Sequence, residues 1–153
     1  MALTSKLKNQ IENREDRRRQ FNVTKSKDHR SDLEIAQEEK IAPWDNPDKD
    51  LTDFHVAVFF DKYAVTEGHR LFVPVYNNDI IIKSCFESAL LKGRQMVANG
   101  ECEGFNIGLN IGTASGQTVM YPHVHLIPRR AGDCEDPIGG VRNVIPGKGN
   151  YKK

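Results

Sequence analysis

Residues 116–128 read GQTVMYPHVHLIP, and no other stretch constrains this chain as tightly. Thr118, Val119, Val124, Leu126 and Ile127 are types that favour extended backbone. A strand over 117–127 would put Tyr121, His123, His125 and Ile127 on one face and Val124 and Leu126 on the other, because side chains alternate with period two. Two imidazoles on one face of a rigid strand can be aimed at one small target. Pro122 removes a backbone donor, so the ladder must be edge-like or interrupted there.

The remaining elements follow from pattern. FHVAVFF (54–60) and HRLFVPV (69–75) read as strands. Asn77, Asn78 or Asp79 can cap a helix running to about Ala98, and Gly100 is a natural stop. Its expected buried face is Ile82, Phe86, Ala89, Gly93, Met96 and Val97. Residues 105–111 form a third strand, and GTASG (112–116) a tight hairpin loop before the fourth. Hairpin, helix, hairpin is an α+β order. Residues 1–40 form a charged arm, helical or disordered, with few apolar positions, so the domain is expected to span 41–153. APWDNPDKDLTD is a turn-rich entry, and Trp44, the single tryptophan, is expected to pack on the domain edge. In the Gly- and Pro-rich tail, Val141, Val144 and Ile145 offer something to bury.

A length of 153 residues suits one domain with a real core. The net charge of +1 favours no class of partner, and acidic residues dilute the basic run of the arm, so strong nucleic-acid binding is not favoured. Cys85, Cys102 and Cys134 are widely spaced and form neither a CxxC nor a disulfide framework. The expectation is a reducing, cytoplasmic setting. No apolar run approaches the roughly 20 residues of a membrane span.

GQTV-x-Y-x-HVHLIPR resembles the signature of the histidine triad (HIT) nucleotide hydrolases and transferases, in which GQ[ST] precedes three alternating histidines. LNIGTASGQT (109–118), FFDKYAVTEGHRLFVPV (59–75) and the tail with GD-x-x-DP-x-GGVR-x-VIP are similar to further family segments. The likeness covers about residues 53–146, and Tyr121 stands where the family has its first histidine. The resemblance implies a five-stranded antiparallel sheet with one long helix, and a two-fold dimer made by extending the sheet. It implies cleavage of a nucleoside polyphosphate, diadenosine polyphosphate above all, at the α-phosphate. No protein-bound metal or cofactor is implied; Mg²⁺ would enter only with the substrate polyphosphate.

Within that frame His123 is the expected nucleophile, a solvent-facing imidazole whose attack leaves a covalent nucleotidyl-histidine. His125 is expected to bind phosphate oxygens. Gln117 and Thr118 could hydrogen-bond the leaving phosphate, and His69 could orient His123. Asn110 could reach ribose or phosphate, Asp61 the ribose hydroxyls, and Phe59 the base. Tyr121, a phenol that can donate a hydrogen bond, joins the substrate-binding set, and Arg129 and Arg130 could neutralise distal phosphates. His29 and His55 match nothing and are incidental. HxH on a strand with His69 also fits a metal site by spacing alone. Other readings share the residues: an enzyme removing adenylate from nucleic-acid 5′ ends, or a catalytically weak nucleotide-binding protein.

Overall fold

The computed structural model describes residues 29–153, so the arm expected at the N-terminus lies largely outside the described residues. The description below concerns Asp32–Lys153, one of the two units into which the chain divides. Its elements are α1 (Asp32–Glu38), β1 (Val56–Phe60), β2 (Arg70–Pro74), α2 (Asp79–Ala98), β3 (Gly104–Leu109) and β4 (Val124–Arg129). Short 3₁₀ turns lie at Thr113–Ser115 and Gly140–Val144.

The four strands form one antiparallel sheet in the order β1-β2-β4-β3. The expected fifth strand is absent among the described residues. Beside β1 its place is taken by one isolated bridge, Pro47 to Phe59. Two hydrogen bonds flank it, Phe60 N–H to Asn46 O at 2.9 Å and Asp48 N–H to Val58 O at 2.8 Å. These bonds place Pro47 in the non-hydrogen-bonded position of the bridge, where its missing N–H costs the pairing nothing.

Period-two alternation sorts the strands into two layers. Val56, Val58, Phe72, Val124 and Leu126 face α2 and pack on Cys85, Ala89 and Met96. Ala57, Phe59, Leu71 and Val73 face the other way, onto Leu33 and Ala36 of α1, Ala42 and Tyr121. The helical part of the expected arm therefore belongs to the domain: Leu33 and Ala36 are buried, and Leu33 N–H bonds Val75 O at 3.1 Å. Seven residues of mixed polarity gave too little periodicity to reveal a packed face.

In α2 the Asn78 carboxamide oxygen accepts from Ile81 N–H at 2.9 Å, which caps the first turn. Gly100 takes φ +74° and lets Glu101 N–H close on Met96 O at 2.9 Å. The buried stripe is Cys85, Ala89, Gly93 and Met96. Phe86 and Val97, expected inside, are exposed, because the stripe steps through 85 rather than 86. A Cβ at Gly93 would meet the Phe105 ring at 2.7 Å, so that glycine permits the approach of β3. In the tail, Val141, Val144 and Ile145 also point outward. Polar contacts hold that segment instead: Arg142 Nε donates to Gly149 O at 3.1 Å and Asn150 Nδ2 to Asp136 Oδ2 at 2.9 Å.

Leu33→Ala should cost about 2–4 kcal/mol of stability, the usual range for emptying a buried leucine site. Urea unfolding measures it; a cost near zero would show that α1 is not part of the core.

Candidate active site

β4 begins only at Val124, later than the expected strand, because the chain before it is organised by a side chain rather than by a ladder. Gln117 Oε1 accepts from Gly112 N–H at 2.8 Å, and its Nε2 donates to Val119 O at 3.1 Å and Met120 O at 3.2 Å. Its amide is thus engaged in shaping the loop, where it had been expected to meet phosphate. Thr118 is exposed on the same loop. After Pro122 the ladder resumes, with β4 between β2 and β3, so His125 sits on a central strand.

His123 lies one residue before that strand. Its ring is buried, at 9% exposure, rather than solvent-facing. Trp44 covers it, with ring centroids 4.9 Å apart, and also lies 6.0 Å from Phe59. His123 Nδ1 is 2.8 Å from the backbone oxygen of Tyr121. A carbonyl only accepts, so Nδ1 carries the proton and Nε2 keeps its lone pair. Among the described residues no fully buried side-chain polar atom lacks a partner, so Nε2, which makes no hydrogen bond, is not sealed from solvent.

A second chain of donors orients His125. Val65 N–H points at His69 Nδ1 at 3.2 Å, which makes that nitrogen the acceptor. His69 Nε2 then bears its proton and donates to His125 Nδ1 at 2.9 Å. The remaining His125 nitrogen, Nε2, is left protonated. His69, expected to steer His123, steers His125 instead. Asp61 Oδ2 stands 3.4 Å from His69 Nε2 and favours a proton there, while Asp61 Oδ1 accepts from Tyr63 N–H at 2.8 Å. The two imidazoles of the HxH pair have centroids 5.1 Å apart. One presents a lone pair and the other an N–H.

Burial pushes the His125 pKa down to about 4, with His123 and His69 adding to the fall and Asp61 opposing it. Burial likewise lowers the His69 pKa against the pull of Asp61. Both rings are therefore neutral near pH 7, as the donor chain requires.

Asp61, His69 and His125 bring three ligand-type atoms within 4.8 Å of one another. A metal on His69 Nε2 would move the ring proton to Nδ1, where it would oppose Val65 N–H. The donor set fits a proton relay better than an ion.

Across the ladder Gly108 pairs with His125, and a Cβ there would meet nothing within 4 Å, so open space adjoins the imidazole. Sequence reading missed Gly108; its signal was a glycine inside a strand pattern. Asn110 continues that face just beyond β3, and its side chain makes no hydrogen bond among the described residues. Phe59 is buried beneath Trp44 in the core layer. Tyr121 does not face the open site: its hydroxyl donates to Pro74 O at 2.6 Å, and burial raises its pKa far above the phenol range. Its contribution to the pair is its carbonyl. Arg129 is spent on Asp133, Asn106 and Cys134, and Arg130 on the carbonyls of Glu101 and Glu67, so neither is poised for distal phosphates. His55 makes no part of the cluster.

The fold and site define an α+β domain whose antiparallel sheet carries a directed pair of imidazoles. The chain is 36% identical over 98 residues to the protein hit of Bacillus subtilis, an alignment covering 59% of this chain and 68% of that one. It is 35% identical over 94 residues to an AP-4-A phosphorylase of Mycobacterium tuberculosis, covering 55% of this chain and 48% of the other. A crystal structure of a HIT family protein from Bacillus anthracis superposes with a TM-score of 0.53 at 27% identity, over 67% of this chain and 77% of that one. No family model matches the chain. It spans about half or less of some curated relatives, 48% and 41% of two of them. The chain belongs to the histidine triad family.

The depressed His125 pKa carries a stability consequence. An unfolded imidazole titrates near 6.5 and the folded one near 4. Between these values the unfolded chain binds a proton that the folded chain refuses. The contribution is therefore whole above 6.5 and lost as pH falls toward 4. His125→Gln should flatten the fall of Tm across that window; an unchanged slope would mean His125 is not held neutral. Tyr121→Phe removes a bond to Pro74 O and should cost about 1 kcal/mol while leaving the carbonyl on His123 in place. Chemical denaturation reads the cost.

Proposed function

We propose that this domain is a nucleotide hydrolase or transferase that acts at the α-phosphate of a nucleoside polyphosphate through His123. The observation that carries the reading is the fixed opposition of the two imidazoles: a lone pair at His123 Nε2, set by the Tyr121 carbonyl, beside a proton at His125 Nε2, set by the Val65–His69 chain.

In the proposed first step the His123 Nε2 lone pair forms a bond to phosphorus. The bond from phosphorus to the bridging oxygen breaks, and the leaving phosphate departs with that electron pair. The phosphorylated imidazole carries positive charge, which the Tyr121 carbonyl accepts at Nδ1–H. His125 Nε2–H donates to a non-bridging oxygen as negative charge develops. Water then attacks phosphorus, the P–N bond breaks with its electrons returning to Nε2, and one water proton passes to solvent. Because the backbone of residue 121 does this work, a phenol replaces the family's first imidazole without removing the nucleophile.

A dinucleoside polyphosphate is the substrate class we favour, supported by the likeness to the protein named AP-4-A phosphorylase. Asn110, with a free carboxamide on the site's face, and Asp61 Oδ2 are proposed to meet phosphate and ribose. Thr118 is proposed to meet the leaving phosphate from its exposed loop. Any Mg²⁺ would be bound by the polyphosphate. A homodimer is proposed through β3, the edge of the sheet, whose residues are all half-buried. Among the described residues no helix is long and apolar enough to cross a membrane.

His123→Ala should lower turnover of diadenosine tetraphosphate by at least a hundredfold. Labelled substrate should leave adenylate on His123 of the wild type in a denaturing gel. Turnover above a hundredth of wild type, or label on another residue, would overturn the assignment. Tyr121→Phe should stay active.

A further inference from the structure

The segment between α1 and β1 is fastened at both ends. Ala42 is buried, with its N–H 3.1 Å from Ala36 O. At the far end lie the two hydrogen bonds around Pro47 and an ion pair of 2.9 Å between Asp48 and Arg70, both largely buried. Arg70 is itself fixed by Gly68 O at 2.9 Å and by the Phe60 ring, 4.8 Å from its guanidinium carbon. Between the anchors sits Trp44, whose backbone oxygen accepts a 3.3 Å bond from Gln37 Nε2. The indole itself makes no hydrogen bond among the described residues. Apolar packing on the core layer and ring contacts hold it, on His123, Phe59 and, at 6.4 Å, Tyr121.

That indole lies over the imidazole proposed to attack, with centroids 4.9 Å apart and the planes inclined at 56°. It lies against the ring that attacks and against the aromatic face nearest to it. The residue is partly buried, and no side-chain hydrogen bond among the described residues ties the indole down, while the strap's backbone is anchored on either side of it. We propose that Trp44 is a gate over His123: closed, it stacks over the imidazole and leaves Nε2 only marginally open; open, it admits the nucleotide. This rests on the reading of His123 as the attacking group.

A closed gate reduces the affinity of every ligand by the same factor, the fraction of molecules standing open. Removing the indole should therefore raise kcat/KM for diadenosine and diuridine tetraphosphate alike. A stacking platform would behave oppositely, losing affinity on removal and losing more for the larger base.

Trp44 is the single tryptophan of the chain, so its fluorescence reports its own position. Adenosine monophosphate titrated into the wild type should shift the emission to longer wavelength, as the indole moves to water. Trp44→Ala should raise kcat/KM several-fold and equally for both dinucleotides. Trp44→Leu, which keeps an apolar cover on Phe59, should do the same and replaces the alanine variant if that one folds poorly. A fall in kcat/KM, a base-dependent change, or an emission that stays fixed on saturation overturns the gate. If the wild type turns over no dinucleotide, the proposed function fails instead, and the emission shift with the monophosphate still decides the gate.

Discussion

The chemistry of this domain depends on backbone groups that cannot change sides. Val65 N–H can only donate and Tyr121 O can only accept, and each meets one nitrogen of a histidine. From those two contacts every proton in the cluster is assigned: His69 passes its N–H to His125, His125 turns its own outward, and His123 turns its lone pair outward. A network built from side chains alone could invert its protons together. Anchored to peptide groups, it has one direction. Burial then keeps His125 and His69 from taking up a second proton that would break the order.

The sheet explains how those contacts are held. Leu71 pairs with His125, and β4 is flanked by β2 and β3, so the histidine is fixed by ladders on both sides. The loop carrying Val65 is tied down by Thr66 Oγ1 donating to Pro128 O at 2.8 Å, and Gly68 turns it at φ +87° into His69. On the α2 side the core is continuous and apolar. On the other side α1, Ala42 and Tyr121 pack on the sheet. Gly108 leaves out a side chain next to His125.

Tyr121 serves the core with its side chain and the site with its backbone. The phenol is anchored on Pro74 O, which pins the residue whose carbonyl faces His123. The side chain of Tyr121 lies in the core layer while its carbonyl faces the site.

Sequence by itself determined the α+β order, the strand pairs, the capped central helix and the closeness of His123 and His125, because those follow from period, turn residues and a dense local motif. It also marked Pro122 as a break in the ladder, since proline lacks an N–H wherever it stands. Only the tertiary structure decided who partners whom. Gln117 was legible as polar, yet its three bonds within its own loop depend on how that loop closes. His69 was legible as a site residue, yet its partner is His125 because strand register and the Val65 turn set its reach. α1 and Trp44 were read as periphery, since short elements carry little periodicity. Their place over the sheet comes from contacts between residues far apart in sequence, which no local pattern records.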